Sequence, residues 1–369
     1  MSLETSPECA ALVESALRVV RDHYDYPSLR GVLASEAGWS ADRWREFAAL
    51  GWLAAPLAEE AGGLGLPPSV ASALMTALGA AAMSEPLPGQ LAFGAGLVGA
   101  APATPARDML LERWLAGAAL VALVSADSES PIGVRTDGPG LRLDGHAGAV
   151  PDGGIADVFV VEAADPAGDR ACFLVAADAP GVTRHVHRAA DGRSFADVVF
   201  DGVRPGDDAR LALDGAAMAR AHTLHALLLA AETLGIMRAL VGLTARYLDQ
   251  REQFGRKLIE FQVLQHRLVD MQLETVRSES MLAVAEHACD VQGFSAAAPL
   301  VSAAYYQSAR SGRRVAEEAV QLHGAIGMTD ELVVGHYLKR IVANGLIAGH
   351  AERHLAQAAC ARGVVPPSE

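Results

Sequence analysis

The chain has 369 residues, a net charge of -14 and 51% apolar residues. This length allows two or three domains with a large buried core. The acidic balance argues against a nucleic-acid-binding or membrane-surface protein, because both need basic faces. We expect no bilayer-spanning stretch and no signal peptide, since the sequence shows neither a long uninterrupted apolar run nor a basic N-terminal start.

The cysteines are far apart and show no Cys-x-x-Cys spacing; they are Cys9, Cys172, Cys289 and Cys360. Isolated thiols are typical of reduced cysteines in a cytosolic protein. The pattern therefore predicts a cytoplasmic protein, and no metal site is predicted from the sequence.

Residues 1–117 have the periodicity of helices. Leu12, Ala16 and Val19 recur at helical spacing, and Trp44 and Phe47 continue such a face further along the chain. We therefore predict an N-terminal helical domain over residues 1–117.

From about residue 118 the period becomes that of β-strands. Clusters of Gly, Pro and Asp separate short runs of strand formers, which are 119–125, 158–162, 171–176, 182–187 and 195–203. Short strands at this spacing predict a small antiparallel β-barrel or sandwich as the middle domain, residues 118–213.

From residue 214 the pattern is helical again. One apolar face runs from Leu224 to Leu243, and further long helices are predicted over about 261–290 and 296–321. The C-terminal domain, residues 214–369, is thus predicted as a four-helix bundle. The whole chain is predicted to be an α+β protein that is mostly helical.

The segment from Arg251 to Met271 interrupts this helical pattern. It is denser in Arg, Lys and aromatic residues than most helix connections, which are short and polar. Arg251 suits a phosphate group, and Phe254 and Phe261 suit flat rings. The segment therefore predicts an anion and ring clamp; an ordinary helix-helix turn with solvated charges is the alternative.

Two C-terminal motifs, in this order of domains, resemble those of the acyl-CoA dehydrogenase family. They are Arg251-x-Gln253-Phe254-Gly255 and Gln321-x-x-Gly324. The stretches 44–65, 153–161 and 200–205 also resemble family segments, so that the resemblance covers nearly the whole chain. It implies an oxidoreductase that uses FAD to form a double bond between the α and β carbons of an acyl-CoA thioester.

The resemblance also implies how FAD is held, between two subunits. The implied contacts are Arg251 with the pyrophosphate, Gln253 and Phe254 along the same stretch, Leu258, Phe261 and Leu264 on the adenine side, and Gln321 and Gly324 at the adenosine half. Gly324 would let the backbone come close to the cofactor. The family's second Gly in this motif is Ala325 here.

The catalytic base of the family is missing from its usual position. The resemblance puts a Glu a fixed distance after the Gln-x-x-Gly motif, where this chain has Ala348, which cannot accept a proton. Some members carry the Glu on the first long helix of the bundle, where the matching residue is His225. His225 and His350 are therefore the candidate bases, although a histidine on a helix is more often a core residue. Glu232 lies on the same helix as His225, about two turns away.

The side that faces the flavin ring departs from the family as well. The family's Thr-Glu-Pro motif is matched by Ser125-Ala126-Asp127, so that Ser125 keeps a hydroxyl as a cofactor contact. Its Trp-Ile-Thr stretch, which covers the ring, is matched by Ala149-Val150-Pro151. The resemblance therefore keeps the phosphate side of the site and alters the ring side.

This asymmetry predicts a subunit that needs a homologous catalytic partner, in a dimer or tetramer. The run 322–340 is most similar to the small subunit of pimeloyl-CoA dehydrogenases, and an electron-transfer flavoprotein is the implied electron acceptor. Three alternatives stay open. They are a self-sufficient homo-oligomeric dehydrogenase with an unusual base, a flavin hydroxylase of the same fold, and a scaffold that binds no flavin.

Overall fold

A computed structural model describes residues 7–125, 132–137, 140–165 and 167–364 of the protein. The chain forms two compact units of interleaved segments. Unit 1 consists of Met1–Gly31, Pro67–Met83 and Ala226–Glu369, and unit 2 consists of Val32–Leu66 and Ser84–His225. The division into three domains after residues 117 and 213 stays a prediction.

Most of the described chain is helical. The α-helices are α1 (Pro7–His23), α2 (Tyr26–Ala34), α3 (Ala41–Ala49), α4 (Pro68–Leu78), α5 (Leu87–Gly89), α6 (Pro105–Leu115), α7 (Gly215–Gln250), α8 (Gln262–Gln292), α9 (Phe294–His323), α10 (Val334–Ile347) and α11 (Ala351–Ala361). A π-helix, Gln90–Val98, continues α5. The predicted fold class, α+β and mostly helical, is confirmed.

Unit 1 is a bundle of these long helices. Helix α9 packs against α8, α10 and α11, and α4 packs against α1 and α8. Helices α4 and α7 touch through their backbones, because a Cβ on Gly235 would collide with the carbonyl oxygen of Thr76 and one on Gly79 would collide with that of Glu232. Only glycine allows two helices to approach this closely. The predicted C-terminal helical bundle is therefore present.

Helix α7 is more apolar than the sequence analysis expected. Among the residues that the structure describes, it is the one helix long and apolar enough to cross a membrane by length and composition. Most of its apolar stretch is buried inside the structure. A core helix that is covered on all sides has the same composition, so burial accounts for the pattern.

Unit 2 carries an eight-stranded sheet among the described residues. Its strands are β1 (Val121–Val124), β2 (Ile132–Asp137), β3 (Gly140–Pro151), β4 (Val158–Ala164), β5 (Arg170–Ala176), β6 (Val182–Arg188), β7 (Ser194–Val203) and β8 (Arg210–Leu211). The order is β6-β7-β3-β2-β4-β5-β8, and β1 pairs with β4. The β1–β4 and β2–β4 pairs are parallel and the other pairs are antiparallel.

The sheet curls around one apolar core. Strands β4 and β7 are separated by β2 and β3, which in a flat sheet would put them about 14 Å apart. The rings of Phe159 on β4 and Phe200 on β7 nevertheless lie 6.1 Å apart, edge to face. Both belong to the buried cluster on one face of the sheet. The curled, mainly antiparallel sheet agrees with the predicted class of the middle region.

Candidate cofactor and active site

The segment between α7 and α8 forms a β-hairpin. Strands β9 (Glu252–Gln253) and β10 (Arg256–Lys257) pair antiparallel on either side of Phe254 and Gly255. These two residues have φ angles of 54° and 78°, the left-handed backbone that the tightest hairpin turns require. Phe254 adopts it without being a glycine, and its side chain is 90% exposed.

The hairpin presents aromatic and cationic groups. The rings of Phe254 and Phe261 lie 6.2 Å apart, edge to face, and the Arg256 guanidinium lies 3.9 Å from the centre of the Phe261 ring. Arg251 donates its backbone N–H to the Tyr247 carbonyl (2.9 Å), and the exposed Arg251 side chain makes no ion pair within the described part of the chain. Such a surface suits an anionic ligand that carries flat rings.

The second predicted motif lies at the end of α9. Gln321 and Gly324 are exposed, as are Arg251 and Gln253. Gly324 has a φ of 67°, and a Cβ built on it would meet nothing within 4 Å. The space beside its backbone is therefore open to a ligand.

The structure brings the two motifs to the same end of unit 1. His323, which lies between Gln321 and Gly324, stacks on Tyr247, with ring centroids 4.5 Å apart. Tyr247 is the residue that receives the Arg251 N–H. The half-buried predicted contacts are at the base of the hairpin and the first turns of α8; they are Leu258, Phe261 and Leu264. An exposed arginine, two rings and open space at Gly324 together fit the phosphate and adenosine parts of FAD.

Ser125, the predicted contact on the ring side, directly follows β1 in unit 2. Its hydroxyl donates to Oε2 of Glu162 at 3.5 Å. The residues that follow in the predicted motif, Ala126 and Asp127, lie outside the described residues.

The stretch that matches the family's ring cover ends strand β3. Ala149 is exposed, has a φ of 49°, and donates its N–H to Asp197 at 2.8 Å. Val150 is part of the sheet core. The methyl group of Ala149 and the core side chain of Val150 supply no aromatic surface that could cover a flavin ring. The loss of the ring cover stays a prediction.

Ala348 caps the C-terminus of α10. Its carbonyl accepts a hydrogen bond from Nε2 of His354 (3.0 Å), whose Nδ1 lies 3.1 Å from the Ser302 hydroxyl. Burial lowers the pKa of His354, so its ring is neutral at neutral pH. His350, the second candidate base, is the exposed N-cap residue of α11.

His225 is buried in unit 2, with 5% of its surface exposed. Its ring meets the edge of Phe93, with centroids 4.9 Å apart. Burial, aided by the positive charges of His222 and Arg193, lowers the pKa of His225 to about 3. A group with this pKa is a weak proton acceptor at neutral pH. The role of His225 as the base stays a prediction.

Glu232 is engaged in a buried ion pair. Its Oε1 accepts from Nε of Arg340 at 2.9 Å and its Oε2 from Asn344 at 2.9 Å. Arg340 also donates to the Met83 carbonyl. Glu232 and Arg340 are both 1% exposed, so the carboxylate forms a buried ion pair that joins α7 to α10.

Two residues of these surroundings were missed by the sequence analysis. Tyr247 carries no motif signal, because its partner His323 is distant in sequence. Glu162 does carry a signal in the sequence, because it is the single charged residue inside the apolar run 158–164. Buried carboxylates need partners, so such a position marks a polar site.

Family comparisons agree with the predicted resemblance. Residues 6–119 match the acyl-CoA dehydrogenase N-terminal domain, and residues 215–361 match the acyl-CoA dehydrogenase C-terminal domain. Together the two matches cover more than half of the chain.

Individual relatives span nearly all of the chain. Acyl-CoA dehydrogenase FadE27 of Mycobacterium tuberculosis is 29% identical over 315 residues, 82% of this chain and 83% of that protein. The ChsE4-ChsE5 complex of the same organism has the same fold, with a TM-score of 0.90, 24% identity and full coverage of both chains. A variant of the Tcur3481-Tcur3483 steroid ACAD has a TM-score of 0.84 and 28% identity over 97% of this chain and 98% of the other. The chain belongs to the acyl-CoA dehydrogenase family of FAD-dependent oxidoreductases, which confirms the enzyme class and the cofactor predicted from its motifs.

Proposed function

We propose that the chain is one subunit of a heteromeric acyl-CoA dehydrogenase and depends on a homologous partner for removal of the α-proton. One contrast carries the proposal. An exposed cationic and aromatic hairpin, suited to FAD, lies at the same end of unit 1 as Gly324, whereas Ala348 stands where the resemblance puts the catalytic carboxylate.

Different residues of the hairpin and its surroundings would bind different parts of FAD. When FAD is bound, it supplies the acceptor for the hydride of the acyl chain. Arg251 offers a planar fork of N–H donors to the pyrophosphate. Phe254 and Phe261 offer flat apolar surface, and Gly324 lets the backbone approach the adenosine half. Phe254, Arg251 and Gln321 are exposed on their own chain, which suits contact with a cofactor whose ring lies in a neighbouring subunit.

The candidate residues of this chain are poorly suited to act as the catalytic base. Ala348 has no proton acceptor in its side chain. Glu232 is occupied by Arg340 and Asn344, and His225 has a pKa of about 3 because of burial. A base works best when its pKa is near the working pH. We therefore assign proton abstraction to a Glu of the partner, which leaves His225 and His350 as the alternatives.

A homologous subunit is the partner we propose. Helix α8 exposes a row of apolar side chains at helical spacing, whose exposed fractions lie between 44% and 67%: Val269, Leu273, Val276, Val284 and Val291. Such a face on a folded chain favours a protein partner. The related ChsE4-ChsE5 structure is described as a complex, which supports a heteromeric assembly; the closer similarity to small subunits of pimeloyl-CoA dehydrogenases stays part of the proposal.

An acyl-CoA thioester is the proposed substrate and an electron-transfer flavoprotein the proposed acceptor, in the cytoplasm. These assignments follow from family membership and from the four separate, reduced cysteines.

Flavin content and flavin reduction test the proposal directly. The chain is purified alone and after co-expression with a homologous subunit that carries the Glu, and both samples are mixed with an acyl-CoA without oxygen. We expect bleaching of the flavin only in the co-expressed complex. Bleaching by the chain alone would support the self-sufficient dehydrogenase instead. Flavin that no acyl-CoA reduces in either sample would favour the hydroxylase, and absence of flavin from both would favour the scaffold.

Arg251 variants test the cofactor assignment separately. Arg251→Ala removes a charged, bidentate contact, so we expect roughly 10- to 100-fold weaker FAD retention. Arg313→Ala is the matched control, because Arg313 is also an exposed arginine of unit 1 but pairs with Glu317 on the surface of α9. Equal flavin content in the two variants would contradict the phosphate role of Arg251.

A further inference from the structure

Glu162 is a buried carboxylate in a strand that is otherwise apolar. It is 6% exposed. Alternate residues of β4, Phe159, Val161 and Ala163, point into the sheet core, so that Glu162 lies on the opposite face with Val158 and Val160. Taking a carboxylate out of water is unfavourable unless partners compensate. The position therefore calls for a polar role on the outer face of the sheet.

The two carboxylate oxygens of Glu162 have different partners. Oε1 pairs with the guanidinium of Arg170 at 3.1 Å, and the Arg170 side chain is 55% exposed. Oε2 accepts the hydroxyl of Ser125. The parallel register of β1 and β4 ends with Val124 opposite Val161, so Ser125 and Glu162 follow side by side. Glu162 thus connects a surface cation to the hydroxyl at the end of β1.

We propose that Glu162 is a positioning residue for the flavin ring and acts through Ser125. This inference rests on the proposed function, in which the complex holds FAD, and on the contact of Ser125 with a flavin ring that the family resemblance implies. A serine hydroxyl has one proton to donate and two lone pairs. When this proton points at Glu162, the lone pairs of Ser125 would be left to accept a hydrogen bond. Oxidised flavin carries one ring N–H, the imide N–H of its pyrimidine part, and this is the group whose hydrogen bond Ser125 would accept.

The charge of Glu162 adds a second effect. A carboxylate beside the pyrimidine edge opposes the negative charge that FAD gains on reduction, so it lowers the reduction potential of the bound cofactor. Arg170 offsets this effect in part, because it pairs with the same carboxylate from the surface.

Binding and redox measurements on FAD-loaded protein test the pair. The protein is the chain alone if it retains FAD, and otherwise the co-expressed complex. Ser125→Ala and Glu162→Gln are each expected to weaken FAD binding by roughly 3- to 10-fold, the effect of one hydrogen bond. Glu162→Gln is also expected to raise the midpoint potential. The double variant should bind FAD no more weakly than the weaker single variant, because the two residues act together.

Two controls separate positioning from folding. Ser125→Thr keeps the hydroxyl and should keep the FAD affinity and the midpoint potential of the wild type. Asp144→Asn removes a carboxylate that pairs with Arg142 in the same sheet and should change neither value. If Glu162→Gln does not fold, Ser125→Ala alone still decides the binding effect.

The outcomes distinguish the two proposals. FAD that binds equally well to the wild type, Ser125→Ala and Glu162→Gln, or single effects that add in the double variant, would overturn the inference and leave the proposed function intact. A wild-type chain that takes no part in binding FAD, alone or with a partner, would overturn both.

Discussion

The ring of Tyr247 stacks on the ring of His323, with centroids 4.5 Å apart and an angle of 28° between the planes. Tyr247 holds the Arg251 backbone N–H, and His323 precedes Gly324. His323 is fixed in turn, since its Nδ1 lies 2.8 Å from the Ala319 carbonyl. The stack therefore sets the position of the hairpin against the end of α9.

Tyr247→Ala should loosen this arrangement. An aromatic pair contributes about 1 kcal/mol beyond its buried area, so we expect FAD retention to fall by roughly 3- to 10-fold, without loss of the fold. Tyr247→Phe keeps the ring and serves as the control. Titration of the two variants with FAD checks the prediction, and equal affinities for Ala and Phe would show that the stack has no part in cofactor binding.

Ala348→Glu should give the chain a proton acceptor at the position of the family's base. We expect FAD-loaded Ala348→Glu protein to exchange the α-proton of an acyl-CoA in deuterated water at least about 100-fold faster than the wild type, the usual contribution of a general base. Mass spectrometry of the recovered thioester measures the exchange. Ala348→Gln has the same size without a carboxylate, and exchange as fast as with Glu would remove the general-base explanation.

Glu286 should make the stability of unit 1 depend on pH. It lies on α8 and accepts the Ser72 hydroxyl of α4 at 2.5 Å. Burial, with the nearby charge of Asp290, raises the pKa of Glu286 to about 7 from a usual value of 4.5, and Ser72 and Arg238 act in the opposite direction. Between these two pH values the folded chain holds a proton that the unfolded chain has lost. The free energy of unfolding therefore falls as pH rises through this window.

The expected decrease is about 2 kcal/mol, less than the pKa difference alone would give, because Glu286 is partly exposed. Urea unfolding of the wild type and Glu286→Gln across the window measures it. The variant should lose this part of the pH dependence. Asp270→Asn changes an exposed carboxylate on the same helix and should keep it. A wild-type slope in Glu286→Gln would refute the assignment.

Arg188 should stabilise the end of α2. Its guanidinium donates to the carbonyl oxygens of Leu33, Ser35 and Glu36, each at 2.6 Å. Arg188→Ala returns these groups to water, and we expect a loss of about 1–2 kcal/mol in the free energy of unfolding. Arg188→Lys should recover part of it, since an ammonium group lacks the planar fork.

Denaturant unfolding together with hydrogen exchange of residues 33–38 checks this prediction. Arg45→Ala is the control, because Arg45 makes an exposed pair with Asp42 that should contribute less than about 1 kcal/mol. Equal stabilities of Arg188→Ala and Arg45→Ala would contradict a capping role.

Helices and apolar strands could be predicted from the sequence because their buried apolar residues recur at a fixed period. The predicted strand 158–162 became β4 (Val158–Ala164) and 195–203 became β7 (Ser194–Val203). Strands β2 and β3 were not predicted. β3 (Gly140–Pro151) contains three glycines, Gly140, Gly145 and Gly148, and only a few core positions, and β2 carries charges in its C-terminal half. Their strand conformation depends on pairing with β4 and β7, which no local pattern encodes.

The candidate site was predictable where a motif is local. Arg251, Phe254 and Gly324 stand out by residue type and spacing. In the structure all three are exposed, and Phe254 and Gly324 have positive φ angles; their contact with FAD stays a prediction. The contacts of Tyr247 with His323 and of Ser125 with Glu162 join residues that are distant in sequence. The pKa of His225 could not be predicted from the sequence either, because it depends on burial that only the fold creates.

The exposed ring of Phe254 affects how fast the chain is degraded when it has no partner. It holds a left-handed backbone that disfavours a bulky residue and exposes nearly its whole ring to water. A hairpin tip of this kind is open to proteases and to nonspecific association until another surface covers it. In the proposed heteromer, we therefore expect unassembled copies of the chain to be degraded faster than assembled ones, so that turnover would match the amounts of the two subunits.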